Sequence, residues 1–230
     1  MRVSRRRVLV TLMLVLAFGG CAGSKSPTRV DTDTKQMKAL QARAAYERGL
    51  GHLRENQAAA AHGALQEALT LDPTVALYAN TFGVVMLQFR QIDRALEWFG
   101  RAIELDPGYG DAQLNHAIAL AEANRWEEAV EGYRKALRMP TLTTPHVAQQ
   151  NLGVALLNLK RYAQAEDALR YALSLDPQLV AAYYNLGLVL TAGNRRDEAR
   201  AAFRKARELA PESQFGQAAA AQLKALGEGG

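Results

Sequence analysis

IELDP, residues 103–107, recurs with small changes as LTLDP at 69–73, LSLDP at 173–177 and RELAP at 207–211. The first two copies lie 34 residues apart, as do the last two. Proline cannot continue a helix, and it pushes the residue before it out of the α region, so each copy marks a helix end. Upstream of each end the same residue sizes recur in register. Gly49, Gly83, Ala117, Gly153 and Gly187 are small; Ala61, Ala95, Ala129, Ala165 and Ala199 open a second helix. Leu65, Phe99, Tyr133, Leu169 and Phe203 follow on that helix, each with an alanine three residues later: Ala68, Ala102, Ala136, Ala172 and Ala206. A small residue where two helices cross lets the backbones approach, and the large residue one turn along fills the space beside the crossing. The pattern is that of a helical hairpin repeated five times.

A 34-residue period with this register resembles the tetratricopeptide repeat. The resemblance implies an all-α helical-repeat solenoid over residues 35–227. Its repeats fall at about 42–75, 76–109, 110–145, 146–179 and 180–213, with a capping helix at 212–227. One such unit cannot bury its apolar face alone, so neighbours must stack and the last unit needs a cover. ESQFGQAAAAQLKAL supplies one, with Phe215, Ala219, Leu223 and Leu226 expected on one buried stripe.

One spacing breaks the period. From Ala117 to Gly153 is 36 residues, and the two extra fall in MPTLTTP, residues 139–145, between the third and fourth repeats. Pro145 suits the first position of the next helix, where its missing N–H costs nothing. On chemistry alone this is a tolerated surface insertion, because lengthening a loop by two residues costs only about tenths of a kcal/mol.

The N-terminus reads as a processing segment. MRVSRRR is followed by VLVTLMLVLAF, eleven nearly apolar residues, and then Gly19 and Gly20. Eleven is short of the roughly twenty that span a bilayer as a helix. FGGCAGS resembles the lipobox of bacterial lipoproteins, with Phe18 in place of the usual leucine. That implies cleavage after residue 20 and a diacylglyceryl thioether on Cys21, the chain's one cysteine. Two or three acyl chains hold a protein stably at a membrane where one does not. In lipoproteins as a class, Ala22 after the cysteine resembles the outer-membrane address. The general secretory and twin-arginine routes both stay open. Residues 21–34, AGSKSPTRVDTDT after the cysteine, read as a polar tether.

Charge and chemistry exclude other classes. The formal charge of +5 rests on Arg2, Arg5, Arg6 and Arg7; without the leader 24 basic residues face 23 acidic ones, and the case for nucleic acid disappears. Asp72, Asp106 and Asp176 read as helix terminators before proline. His52, His62, His116 and His146 have no metal-ligand spacing, and no cofactor is expected. There is no phosphate loop, no GxSxG and no nucleophile with a base beside it, so an enzyme is not expected.

Lipobox, tether, tandem repeats and the run EEAVEGYRKALRMPTLTTPHVAQQNLGVALLNLKRYAQAEDALRYALSLDP together resemble the type IV pilus biogenesis and stability lipoproteins, the pilotins of the PilW and PilF kind. In that family a similarly lengthened turn precedes an Asn-x-Gly helix, here Asn151-Leu152-Gly153. Ala121 and Ala155 stand where some members carry cysteines, so a disulfide joining the third and fourth repeats is absent, and five repeats are visible where the family is described with six. The resemblance implies an outer-membrane lipoprotein, facing the periplasm, that promotes assembly of a PilQ-like secretin and so pilus-dependent motility. An outer-membrane adaptor recruiting cell-wall hydrolases is the alternative.

First helices of such repeats line the concave face. By register the inward positions are Tyr46, Leu50, Leu53, Asn80, Val84, Leu87, Leu114, Asn115, Ile118, Gln150, Asn151, Val154, Leu157, Tyr184, Asn185 and Leu188. Amides hold a peptide backbone while aliphatic residues accept its side chains. Apart from Arg43 and Arg54 the stripe lacks cations, so an apolar or amphipathic segment is expected and a carboxylate clamp is not. The competing reading makes each aliphatic position part of the core between repeats.

Overall fold

The computed structural model describes residues 29–227, and every regular element among them is an α-helix. The leader 1–20, Cys21 and the tether up to residue 28 lie outside the described residues. The helices are α1 (Arg29–Arg54), α2 (Ala58–Leu71), α3 (Ala76–Gln88), α4 (Ile92–Leu105), α5 (Gly110–Glu122), α6 (Trp126–Leu137), α7 (Pro145–Asn158), α8 (Tyr162–Leu175), α9 (Val180–Ala192), α10 (Arg196–Leu209) and α11 (Gln214–Ala225). The first ten pair as five antiparallel hairpins. Each hairpin packs on the next, first helices touch first helices from α3 to α9, and α11 lies across α9 and α10. α1 begins at Arg29, inside the stretch 21–34 expected as tether. Once α1 is nucleated by its packing at Ala42, Ala45 and Tyr46, extending it over Lys35, Gln36, Met37 and Lys38 needs only local helix propensity.

The crossings obey the size rule, with one exchange. A Cβ on Gly49, Gly83, Gly153 or Gly187 would fall 2.8, 2.6, 2.6 or 2.5 Å from the side chain of Leu65, Phe99, Leu169 or Phe203. In the third hairpin Ala117 takes the glycine's place, and the space comes from the partner helix instead: a Cβ on Gly132 would lie 2.8 Å from that of Ala117.

Each hairpin turn carries one residue with φ between 56° and 59°: Asn56, Arg90, Asn124, Lys160 and Asn194. The amide after it reaches back to the carbonyl five residues earlier, as from Gln91 to Met86 at 2.9 Å and from Arg161 to Leu156 at 2.9 Å, which closes the first helix with a Schellman turn. Asparagine tolerates this region, but arginine and lysine do not favour it. Lys160→Gly is therefore expected to stabilise the array by roughly 0.5–1 kcal/mol, read as a higher urea midpoint at unchanged slope, and Asn194→Gly by less.

Asp72, Asp106 and Asp176 spend a carboxylate oxygen on the amide two residues on, those of Thr74, Gly108 and Gln178, at 3.1, 2.9 and 2.9 Å. These are turn-forming contacts. The 139–145 turn does more than a tolerated insertion would. The Thr141 hydroxyl accepts from the Gly110 amide at 2.9 Å and donates to the Gly108 carbonyl. The Thr143 amide and hydroxyl both donate to Asp111, each at 3.0 Å. Leu142 packs into the core, and a Cβ on Gly110 would meet its amide nitrogen at 2.7 Å. The lengthened turn is thus clasped onto the turn of the preceding repeat.

At the C-terminus Ala219 and Leu223 are buried and Leu226 partly so, but Phe215 is 37% exposed. Gly216 is buried in its stead. Ser213 caps α11 by accepting from the Gly216 amide at 3.1 Å, and this brings Gly216 against the 210–211 backbone with no room for a phenyl ring. Phe215 meets Tyr184 instead, with ring centroids 5.7 Å apart. No described helix is long and apolar enough to cross a membrane.

Candidate functional site

The inward stripe divides into a closed half and an open half. In the N-terminal half Tyr46 is 7% exposed, stacks on Tyr78 at 4.8 Å and shares a 3.2 Å hydrogen bond with the Thr81 hydroxyl. Thr81 already donates to the Leu77 carbonyl at 2.9 Å, so Tyr46 is the donor. Asn80, 7% exposed, accepts from the Asn115 amide at 3.0 Å and donates to the Tyr109 hydroxyl at 3.3 Å. Burial, helped by Asp111, pushes the Tyr109 hydroxyl above its ordinary pKa, so this ladder stays neutral. Leu114 is 4% exposed in the core. Expected as groove residues, all three are buried: Tyr46 lies against α3, Asn80 against Asn115 of α5, and Leu114 is part of the core. Asn115 is committed to Asn80. Leu50, Leu53, Val84 and Leu87 are half-buried and lean on the same core.

The C-terminal half differs. Gln150, Asn151 and Asn185 are half-buried, and none makes a side-chain hydrogen bond to another described residue. Ile118, Leu157, Tyr184 and Leu188 are partly buried against the core. Between α5 and α7, Ile118, Asn151 and Val154 form one side of a hollow of about 320 Å³. Ala121, Glu122, Trp126 and Tyr133 form the rest with Asn124. The hollow exists because Ala121 stands where the first, second and fourth repeats place Leu53, Leu87 and Leu157. The sequence carried that signal as a missing leucine, but Trp126 and Tyr133 become part of the wall only through the hairpin geometry.

Its chemistry suits a peptide. Ile118, Val154 and Trp126 give apolar walls. Burial, followed by the Glu122 charge, raises the Tyr133 hydroxyl, which therefore stays protonated as a donor. Glu122 is held by Arg90 across the repeats at 2.9 Å. Asn151 offers both a donor and an acceptor. A hollow of this size and lining has room for one bulky apolar side chain.

The histidines are spent elsewhere. His52 bonds the Gln57 amide oxygen at 2.8 Å, and His62 packs on Phe82 with centroids 5.0 Å apart. Burial, with Arg125 and Lys135 nearby, lowers the His116 pKa. No group of three or more His, Cys, Asp or Glu is placed to hold a metal among the described residues.

Family models described as tetratricopeptide repeat match residues 86–139 and 151–214. The fold is a tetratricopeptide-repeat solenoid. Among such proteins, the type IV pilus assembly protein PilF of Pseudomonas aeruginosa is 27% identical over 173 residues, 74% of this chain and 67% of that protein. The crystal structure of PilW, described as a widely conserved type IV pilus biogenesis factor, superposes with a TM-score of 0.68 at 22% identity, over 80% of this chain and 92% of that one. A peroxisomal targeting signal receptor of Candida albicans is 33% identical over 94 residues, but that is 40% of this chain and 15% of the receptor. The short, more identical match reflects the repeat signature; the long match runs through most of the array. The tetratricopeptide chain is thus a repeat scaffold related to type IV pilus biogenesis factors.

Proposed function

We propose that this chain is a non-catalytic lipoprotein of the outer membrane, anchored through Cys21 and facing the periplasm. There it promotes or stabilises assembly of a PilQ-like secretin for type IV pilus biogenesis. The observation that carries this reading is the relationship to PilF across 74% of the chain rather than over one or two repeats. The open half of the groove supplies the means. Its hollow and its amides at 150, 151 and 185, half-buried and without a side-chain hydrogen bond to another described residue, suit an apolar or amphipathic segment whose backbone they can bond.

Deleting the gene and running the secretin on an unboiled denaturing gel tests the role. Loss of the heat-resistant multimer, restored by the wild-type chain and not by Cys21→Ser, is the expected result. An intact multimer with altered cell shape overturns it and favours an adaptor for cell-wall hydrolases.

A further inference from the structure

The second-helix side carries a site that neither the repeat fold nor the first-helix groove explains. On α4, Trp98 stands where the other repeats have Ala64, Gly132, Ala168 and Ala202. Arg94 stands where they have Ala60, Glu128, Gln164 and Glu198, and Arg101 where they have Glu67, Lys135, Tyr171 and Lys205. The spacing puts all three on one face of the helix. That face borders a groove of about 530 Å³ whose opposite wall is Leu69 and Pro73 of the preceding repeat, with Glu97 completing the lining. Trp98 is braced edge-on by Phe82 at 4.9 Å, and Leu69 is 8% exposed, so the floor is rigid and apolar.

The charges on this groove lack close partners. Arg125, Arg170 and Arg195 on the later hairpins each meet a carboxylate, at 2.6, 2.8 and 2.5 Å. Arg94 bonds only the neutral amide of Gln91, at 2.6 Å. Arg101 is 3.8 Å from Glu104 with both side chains more than half exposed, a pairing of little weight. Two guanidinium groups therefore flank an indole, with one carboxylate, Glu97, in the lining.

We propose that this groove is a second docking site, for an anionic polypeptide segment that presents an apolar side chain between carboxylates. The apolar side chain sits on Leu69 and Trp98, and the carboxylates meet Arg94 and Arg101 through paired N–H donors. Seven helical residues separate the arginines by about 10 Å, the span of roughly three extended steps, so two carboxylates three residues apart, with two residues between them of which one turns its apolar side chain to the groove, fit them both. A walled groove around a single indole fits a side chain better than a flat headgroup layer. The site is independent of the role proposed above and of the open amides on the first helices.

The test uses the full-length chain in detergent and a fluorescein-labelled peptide, Asp-Glu-Leu-Phe-Glu-Asp, read by anisotropy at low salt. Trp98→Ala installs the residue that three sibling repeats use and is expected to weaken binding roughly tenfold. The pair Arg94→Glu and Arg101→Glu, on the surface, is expected to weaken it about a hundredfold, and a Lys-Lys-Leu-Phe-Lys-Lys probe is expected not to bind. Far-UV circular dichroism checks that each variant keeps its helices; should Trp98→Ala lose them, the arginine pair alone decides. Equal binding by the arginine variant, or equal binding of the lysine probe, overturns the proposal. So does failure of the acidic probe to bind; phosphatidylglycerol vesicles that then bind the unlipidated Cys21→Ser chain without detergent, and not its arginine variant, assign the groove to a lipid surface.

Discussion

Gly216→Ala is expected to cost roughly 3 kcal/mol, the largest stability loss of any single methyl in the array. An added Cβ would lie 1.9 Å from the Ala210 carbonyl oxygen and 3.0 Å from the Pro211 Cα. Those atoms are backbone and cannot rotate away, unlike the ring of Phe203 opposite Gly187. To make room, α11 must lift from its N-terminal end. That breaks the Ser213 cap and the two bonds from the Arg200 guanidinium to the Leu226 carbonyl, at 2.8 and 3.3 Å. It also uncovers Ala206 and Phe203, which α11 helps bury through Ala219 and Leu223. In a linear array the end unit has one neighbour, so its loss propagates inward. Gly227→Ala is the control: φ is +83°, but nothing lies near its Cβ, and the cost there is about 1 kcal/mol of backbone strain. Urea midpoints of the two variants decide. A Gly216→Ala loss no larger than that of Gly227→Ala would mean that α11 does not sit as described.

The repeats were legible because their determinants are local in sequence. A crossing glycine, a large partner and a helix-ending proline recur at a fixed period, and the physics of each needs only its own hairpin. What stayed hidden depends on neighbours. Ala117 reads as a poorer version of Gly83 until Gly132 is seen across from it, supplying the missing space. Asn80 and Asn115 look like two members of an open amide row, and only the stacking of α3 on α5 brings them within 3.0 Å of each other. MPTLTTP announces itself as two extra residues, but its clasp depends on Gly108, Gly110 and Asp111, more than 30 residues earlier in the chain. Phe215 was expected in the core on helical periodicity, and the cap geometry at Ser213 turned it outward. The two arginines and the tryptophan of α4 were visible as letters throughout, but only the wall formed by Leu69 and Pro73 makes them a site.

The same division between closed and open amides gives the second large effect. If the proposed secretin partner is held in the hollow, Asn151→Ala combined with Val154→Asp is expected to weaken its capture about a hundredfold with helix content unchanged, since the pair removes an amide from the lining and charges an apolar wall. Val154 is a better position for the charge than Leu157. Both are half-buried, but Leu157 packs against the hairpin core and an aspartate there would unfold the repeat as well as block the groove. Asn80→Ala is the counterpart. It leaves the amide of Asn115 without its acceptor and Tyr109 without a donor, so about 1 kcal/mol of stability is lost while capture is kept. Affinity of the immobilised secretin periplasmic region for each variant, measured beside its thermal midpoint, separates the two behaviours. Capture that survives the 151/154 pair but fails with Arg94→Glu and Arg101→Glu would move the working face of the solenoid from its first helices to its second.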